Sequence, residues 1–169
     1  MLSRAWRLLQ HRWFDERSAA RRLGPEGLKR IEARIAAAEQ RTSGEIRVCV
    51  EAGLPWSYIW RHAPARERAV ALFAKLGVWD TEQNNGVLVY LLLAERRIEI
   101  IADRGIDRRV DAGRWAGIAD AMAAELARGA FEAGLVQAID AVGELLQTHF
   151  PAEAGAPNPN ELPDAPLLS

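Results

Sequence analysis

A nine-residue apolar run near the middle of the chain, residues 86–94 (GVLVYLLLA), places the strongest constraint on the fold. It contains no charged residue, yet it has only about half the length that a membrane-spanning helix needs. A continuous run of this kind is typical of a central β-strand that other elements cover on both faces. The chain is therefore expected to fold in layers around a buried sheet.

Two shorter segments complete the predicted sheet. Residues 45–51 alternate apolar and polar side chains, which is typical of a half-buried strand. About 35 residues that include a helical pattern connect this strand to the strand at 87–93, and such a crossover predicts parallel pairing. A short turn then leads to residues 98–101, which predicts an antiparallel hairpin.

Amphipathic helical patterns occupy most of the remaining sequence. One predicted helix begins at Gly24-Pro25 and another at Pro64, and two more cover about residues 112–127 and 131–149. With a helix at the N-terminus, the element order is α-α-β-α-β-β-α-α. This order predicts an α/β fold, namely a three-layer α/β/α sandwich with a small central mixed sheet and an added N-terminal helix.

The N-terminal extension, residues 1–22, is basic and amphipathic. It carries six Arg against Asp15 and Glu16, a formal charge of +4, and Leu2, Trp6, Leu9 and Trp13 share one helical face. Such a helix suits an anionic membrane surface or a protein partner. Packing of the Trp side chains against the domain or a second subunit is the alternative interpretation.

The α/β domain is assigned to residues 23–150, and residues 151–169 form a separate tail. This tail contains five of the eight prolines and carries three acidic side chains without a basic one. Because such a segment buries little apolar surface, we expect an extended or disordered tail.

Composition excludes several classes of function. With 22 basic and 23 acidic residues the net charge is −1, which argues against a general nucleic-acid binder. The single cysteine, Cys49, excludes an internal disulfide and a Cys-based zinc site, and His11, His62 and His149 lack metal-ligand spacing. No secretory-signal pattern is visible, so we expect a cytoplasmic protein, with peripheral attachment to the inner membrane as a further expectation.

Polar side chains collect at one edge of the predicted sheet, where the first two strands begin and the third ends. The candidate residues at this edge are Glu45, Asp80, Asn84, Asn85, Asp103, Arg104 and Asp107. Carboxylate and amide oxygens suit Ca²⁺ or Mg²⁺. The same residue types also form ordinary loops, and Asn84-Asn85-Gly86 also fits a simple turn into the strand.

Three segments resemble the TPM domain, a family named for a thylakoid lumen protein, a photosystem II repair protein and a nematode receptor modulator. They are Thr42-Ser43-Gly44-Glu45-Ile46, Leu76-Gly77-Val78-Trp79-Asp80 followed by Asn84-Asn85-Gly86-Val87-Leu88, and Asp103-Arg104-Gly105-Ile106-Asp107. The resemblance covers about residues 26–150 and is to soluble bacterial members. It implies an α/β/α sandwich with a cleft able to hold a divalent metal. It implies Asp80 and Asn85 as the best candidates at this cleft, with Glu45 and residues 103–107 beside them. Many family members have glycine in place of Asp103, and with this acid the predicted metal ligands are Asp80, Asn85 and Asp103.

Two functions are compatible with this resemblance. The first is a non-catalytic module that binds a cation or a partner protein, which the Arg/Trp-rich N-terminus, the aromatic loop at 53–63 and the Pro-rich tail favour. The second is a metal-assisted phosphatase acting on phosphate esters, in which a divalent ion lowers the pKa of bound water and Arg104 or Arg108 holds the phosphate. The arginines beside Asp103 also offer the acids an alternative as ion-pair partners.

Overall fold

The computed structural model describes residues 16–153 and 158–169. The elements, in chain order, are α1 (Glu16–Glu39), β1 (Glu45–Glu51), α2 (Trp56–Trp60), α3 (Ala65–Lys75), β2 (Gly86–Leu92), β3 (Arg97–Ala102), α4 (Arg104–Asp107), α5 (Ala112–Ala127), α6 (Phe131–His149) and β4 (Leu167–Leu168). The predicted helical face of Leu2, Trp6, Leu9 and Trp13 lies outside the described residues. Its association with a membrane or partner therefore stays a prediction.

The sheet has four strands in the order β3-β2-β1-β4. β1 runs parallel to β2 with Glu45 opposite Gly86, and β3 runs antiparallel to β2 with Val87 opposite Ala102. The predicted pairing of the first three strands is confirmed. The apolar run is a central strand, as predicted, because every residue of β2 is buried.

Helices cover both faces of the sheet. Ile46, Val48 and Val50 of β1 point to a core shared with α1, α5 and α6, which we call the three-helix face. The opposite face packs Leu88 and Tyr90 of β2 against α2 and α3. This arrangement confirms the predicted α/β/α sandwich. Within the described part of the chain, no helix has the length and apolar character required to cross a membrane.

A kink divides α1 at the point where a helix start was predicted. Gly24 has φ 66° and ψ 164°, a backbone conformation that glycine adopts without the steric cost of a Cβ. Pro25 follows directly and suits the first position of the continuing helix. The helix predicted to begin at Gly24-Pro25 is thus the second part of α1.

The prediction of a half-buried β1 is wrong, because all seven residues of this strand are buried. Its polar side chains meet partners from distant parts of the sequence. Arg68 of α3 binds Glu51, and the guanidinium of Arg47 donates hydrogen bonds to carbonyls beyond residue 160. The alternating apolar and polar side chains therefore predicted a strand correctly, but they did not predict that both of its faces are buried.

Residues 158–169, here called the C-terminal segment, lie along β1 and add the short parallel strand β4. They are extended and contact the domain, where the sequence led us to expect an extended or disordered tail. Leu162 is buried in the core on the α3 side of the sheet, and Cys49 of β1 pairs with Leu167. These contacts offset the entropy lost when the segment is ordered.

Candidate functional site

Backbone hydrogen bonds bring most of the predicted site residues to one sheet edge. Glu45 lies opposite Gly86, and the N–H of Asp103 donates to the carbonyl of Gly86 at 2.9 Å. The N–H of Gly105 donates to the carbonyl of Asn84, also at 2.9 Å. The starts of β1 and β2 and the end of β3 therefore meet as the strand order predicted.

Asn84 and Asn85 have different tasks at this edge. Asn84 takes a left-handed conformation, with φ 53°, and its Oδ1 accepts a hydrogen bond from Arg104 Nε at 3.0 Å. Asn85 is fully buried, and its backbone N–H donates to Thr81 Oγ1 at 3.0 Å. The Asn85 amide also donates to Ser43 Oγ at 3.3 Å, so it joins the start of β1 to the start of β2.

The edge presents buried acceptor oxygens that lack donors. Asp103 caps α4, because its Oδ1 accepts from the N–H of Arg104 at 2.7 Å, but its Oδ2 has no hydrogen-bond partner among the described residues. The same holds for Asn85 Oδ1 and Glu45 Oε1. Buried acceptors of this kind are costly unless a ligand, a cation or water satisfies them.

Glu45 and Asp103 both flank Gly86 in the sheet. A Cβ on Gly86 would lie 2.0 Å from the carbonyl oxygen of Val78, so the backbone of Val78 packs directly against Gly86. Glu45 Oε2 accepts from the N–H of Leu162 at 3.2 Å. Burial raises the pKa of the Glu45 carboxyl. Glu45 therefore belongs to the contact with the C-terminal segment.

Asp80 and Asp107 are exposed beside this edge. The backbone N–H of Asp80 donates to the carbonyl of Gly77 at 2.9 Å, and that of Asp107 donates to the carbonyl of Asp103 at 2.9 Å. Their backbones are thus fixed, while their carboxylates face solvent. Exposed carboxylates at such a position are free to reorient toward a bound ion.

The arginines near α4 do not neutralise these acids within the described part of the chain. Arg104 is bonded to Asn84, and Arg109 donates to the carbonyl of His149 at 2.7 Å and lies over the Phe150 ring. Arg109 thus caps the C-terminal end of α6, where a cation is favoured. The ion pairs of residues 16–153 and 158–169 include none between an arginine of this region and Asp80, Asp103 or Asp107.

The donor set at this edge fits a hydrated cation better than a cage of carboxylates. No group of three His, Cys, Asp or Glu side chains in the described ranges is arranged to hold a metal ion. The unpaired oxygens of Asn85 and Asp103 are one amide oxygen and one carboxylate oxygen. Mg²⁺ commonly binds through one or two carboxylates and keeps several waters.

A neighbouring cavity of about 400 Å³ was not foreseen from the sequence. Ser43 and Gln83 line it, with Ser43 Oγ 3.1 Å from Gln83 Oε1, and so do Glu82, Glu153 and Glu161. Because Ser43 also binds the Asn85 amide, the cavity adjoins the sheet edge. Glu82 comes from the loop before β2 and the other two glutamates from the stretch between α6 and β4, and no local pattern in the sequence connects them.

Comparison with known proteins assigns the fold to a family. The sequence matches the TPM domain over residues 18–145, more than half of its length. The chain belongs to the TPM domain family. The solved NMR structure of the BA42 protein from the psychrophilic bacterium Bizionia argentinensis is similar to this TPM domain, with a TM-score of 0.73 and 31% sequence identity. The match covers 84% of this chain and 92% of BA42. The search of curated proteins gave no significant match.

One buried acid in this TPM domain was missed by sequence analysis. Glu39, at the end of α1, is only 3% exposed, and its Oε1 accepts from the N–H of Ile46 at 2.7 Å. Burial, together with smaller contributions from the nearby Glu45 and Asp164 carboxylates, raises its pKa to about 9. Nothing in the local sequence distinguishes this residue from the exposed acids of other helices.

The raised pKa of Glu39 predicts a stability that falls as the pH rises. Between pH 4.5 and about 9 the folded chain retains a proton on Glu39 that the unfolded chain releases, so alkali favours unfolding. We expect the urea midpoint to drop from pH 5 to pH 9, and Glu39→Gln to reduce this drop because the amide keeps the acceptor for Ile46. Glu32→Gln, on the exposed side of α1, is the control and should leave the slope unchanged.

Proposed function

We propose that this TPM domain is a recognition module that binds a divalent cation of the Mg²⁺ or Ca²⁺ class, with Asp103, Asn85 and Asp80 as protein ligands. One observation carries the proposal: Asp103 Oδ2 and Asn85 Oδ1 are buried acceptors with no donor among the described residues. A hydrated cation satisfies both oxygens directly or through its water ligands. Asp80 is exposed in the loop that precedes β2, five residues before Asn85, and supplies a third oxygen.

The same edge favours a cation over a phosphate group. Phosphate recognition requires hydrogen-bond donors, whereas the orphaned atoms here are acceptors. Arg104, the nearest candidate for a phosphate clamp, already donates to Asn84. For these reasons the metal-assisted phosphatase is the second candidate function, and the experiment below tests it directly.

Exposed tryptophans support a role in recognition of a partner. Trp56 and Trp60 of α2 stack with ring centroids 6.1 Å apart, and both are more than 60% exposed. Trp79, one residue before Asp80, is also exposed. Aromatic side chains are enriched at protein interfaces, where they supply a large contact area. The position of Trp79 would couple a bound cation at Asp80 to such a contact.

Cation binding is expected to raise the thermal midpoint of the wild-type chain. At a cation concentration ten times Kd the gain is about 1.4 kcal/mol, which corresponds to about 3–5 °C for a domain of this size. Asp103→Asn should abolish both this shift and the calorimetric heat of binding. Asparagine caps helices as well as aspartate does, so the fold should be retained. Asp120→Asn, an exposed acid on α5, is the matched control.

The result that contradicts the proposal is a wild-type chain that gives neither heat nor a thermal shift with millimolar Mg²⁺ or Ca²⁺. An assay with an aryl phosphate ester should be run on the same samples. If the wild-type chain hydrolyses the ester only with the cation, and Asp103→Asn does not, the protein is a metal-assisted phosphatase and the proposal of a recognition module is wrong.

A further inference from the structure

The C-terminal segment is held to β1 by main-chain pairing. β4 runs parallel to β1, with Cys49 opposite Leu167. The N–H of Ser169 donates to the carbonyl of Val50 at 3.1 Å, and the N–H of Ala52 donates to the carbonyl of Ser169 at 2.6 Å. These bonds are the ones that any extended peptide forms when it adds a strand to the edge of a sheet.

Two buried charged side chains of β1 also bind the main chain of this segment. Arg47 Nη1 donates to the carbonyl oxygens of Pro163 and Ala165, each at 2.5 Å. Glu45 Oε2 accepts from the N–H of Leu162 at 3.2 Å. Buried charges require partners, and these two find theirs in the backbone of an extended segment. They therefore recognise backbone groups rather than a particular side chain.

An amide and one apolar side chain fix the register. The Asn158 amide donates to the carbonyls of Glu39, Thr42 and Gly44 at 3.0–3.4 Å. Leu162 is 6% exposed and packs into the core on the α3 side of the sheet. Only two residues of the segment pair with β1 as a strand. The attachment therefore depends mainly on the Asn158 hydrogen bonds, the buried Leu162 and the short β4 pairing.

We propose that the edge of β1 is a strand-accepting binding site, that the C-terminal segment fills it as an intramolecular ligand, and that the same segment of a second copy can replace it. The family match ends at residue 145, so the segment lies outside the region that defines the TPM domain. A second copy offers the same backbone, the same Asn158 and the same Leu162. Exchange therefore conserves every contact, which makes it a low-cost route to a dimer.

The test uses two full-length variants with complementary defects. Leu162→Asp weakens the segment as a ligand but leaves the β1 site intact. Arg47→Met weakens the site but leaves the segment intact. Each variant alone should be a monomer of about 18.7 kDa by light scattering. A 1:1 mixture at about 100 µM should form a dimer, because the segment of the second variant fills the site of the first.

A mixture that stays monomeric, with both variants folded by circular dichroism, overturns the proposal. Unfolding of Leu162→Asp at 25 °C also overturns it, since the segment would then be part of the folding core and not a ligand. If Arg47→Met alone unfolds, a labelled peptide with the sequence of residues 158–169 decides. It should bind Leu162→Asp at least tenfold more tightly than wild type, whose own segment competes at a millimolar effective concentration. Equal binding, or none, overturns the proposal.

Discussion

Replacement of Glu51 by alanine is expected to lower the free energy of unfolding by about 3–5 kcal/mol, the usual cost of breaking a buried ion pair. The Glu51 carboxylate is 4% exposed and accepts from Arg68 Nη2 at 2.6 Å and from the Tyr90 hydroxyl at 2.6 Å. Its removal leaves a guanidinium that is only 17% exposed and a buried hydroxyl without their acceptor. Urea denaturation followed by circular dichroism measures the loss.

The matched control is Glu99→Ala. Glu99 binds Arg66 at 3.3 Å, and because Arg66 is 62% exposed, its charge remains solvated when the partner is lost. We expect a loss below 1 kcal/mol, as for other exposed ion pairs. Similar losses in the two variants would show that burial does not set the importance of the Glu51 cluster.

The second large effect is expected for Gly86→Ala. A Cβ at this position would lie 2.0 Å from the carbonyl oxygen of Val78 and 3.0 Å from its Cγ1. Because the first of these atoms is backbone, the loop that crosses the sheet edge must move away. We expect destabilisation of about 3 kcal/mol, the upper part of the range for overpacked sites. Chemical denaturation and the thermal midpoint are the measurements.

Gly117→Ala provides the opposite expectation within the same chain. Gly117 lies inside α5, and a Cβ there meets no atom within 4 Å. Alanine should stabilise the helix by about 0.5–1 kcal/mol. If Gly86→Ala is as stable as the wild type, the close approach of Val78 does not require glycine at residue 86.

The sheet was predictable because its signals are local. The apolar run of β2 and the length of the crossover determine the central position and the parallel pairing with β1. Burial of β1 was not predictable, since the partners of Arg47 and Glu51 lie far away in sequence. Periodicity describes one strand at a time and does not report what covers its polar face.

Local signals in the sequence also account for the part of the candidate site that was predictable. Strand ends brought Asn85 and Asp103 to one edge, and both are buried there with unpaired oxygens. Glu45 was grouped with them, but its Oε2 accepts a hydrogen bond from Leu162 of the C-terminal segment. That contact joins residues 117 positions apart, so no local pattern in the sequence reports it. Glu39 carries no sequence signal, because its environment is created by tertiary packing alone.

The two edges of the sheet are protected from aggregation in different ways, one by the C-terminal segment and the other by charged side chains of β3. Without a neighbour on the side of the segment, β1, with Ile46, Val48 and Val50 at every second position, would present a row of unpaired backbone groups to other chains. At the β1 edge the segment closes part of this row. At the β3 edge the strand itself begins with the exposed Arg97 and includes Glu99, charges of the kind that disfavour edge-to-edge pairing. Without the segment, charged side chains would still protect the β3 edge. β1 would then become an uncovered edge strand next to the apolar β2, and this edge could pair with other chains.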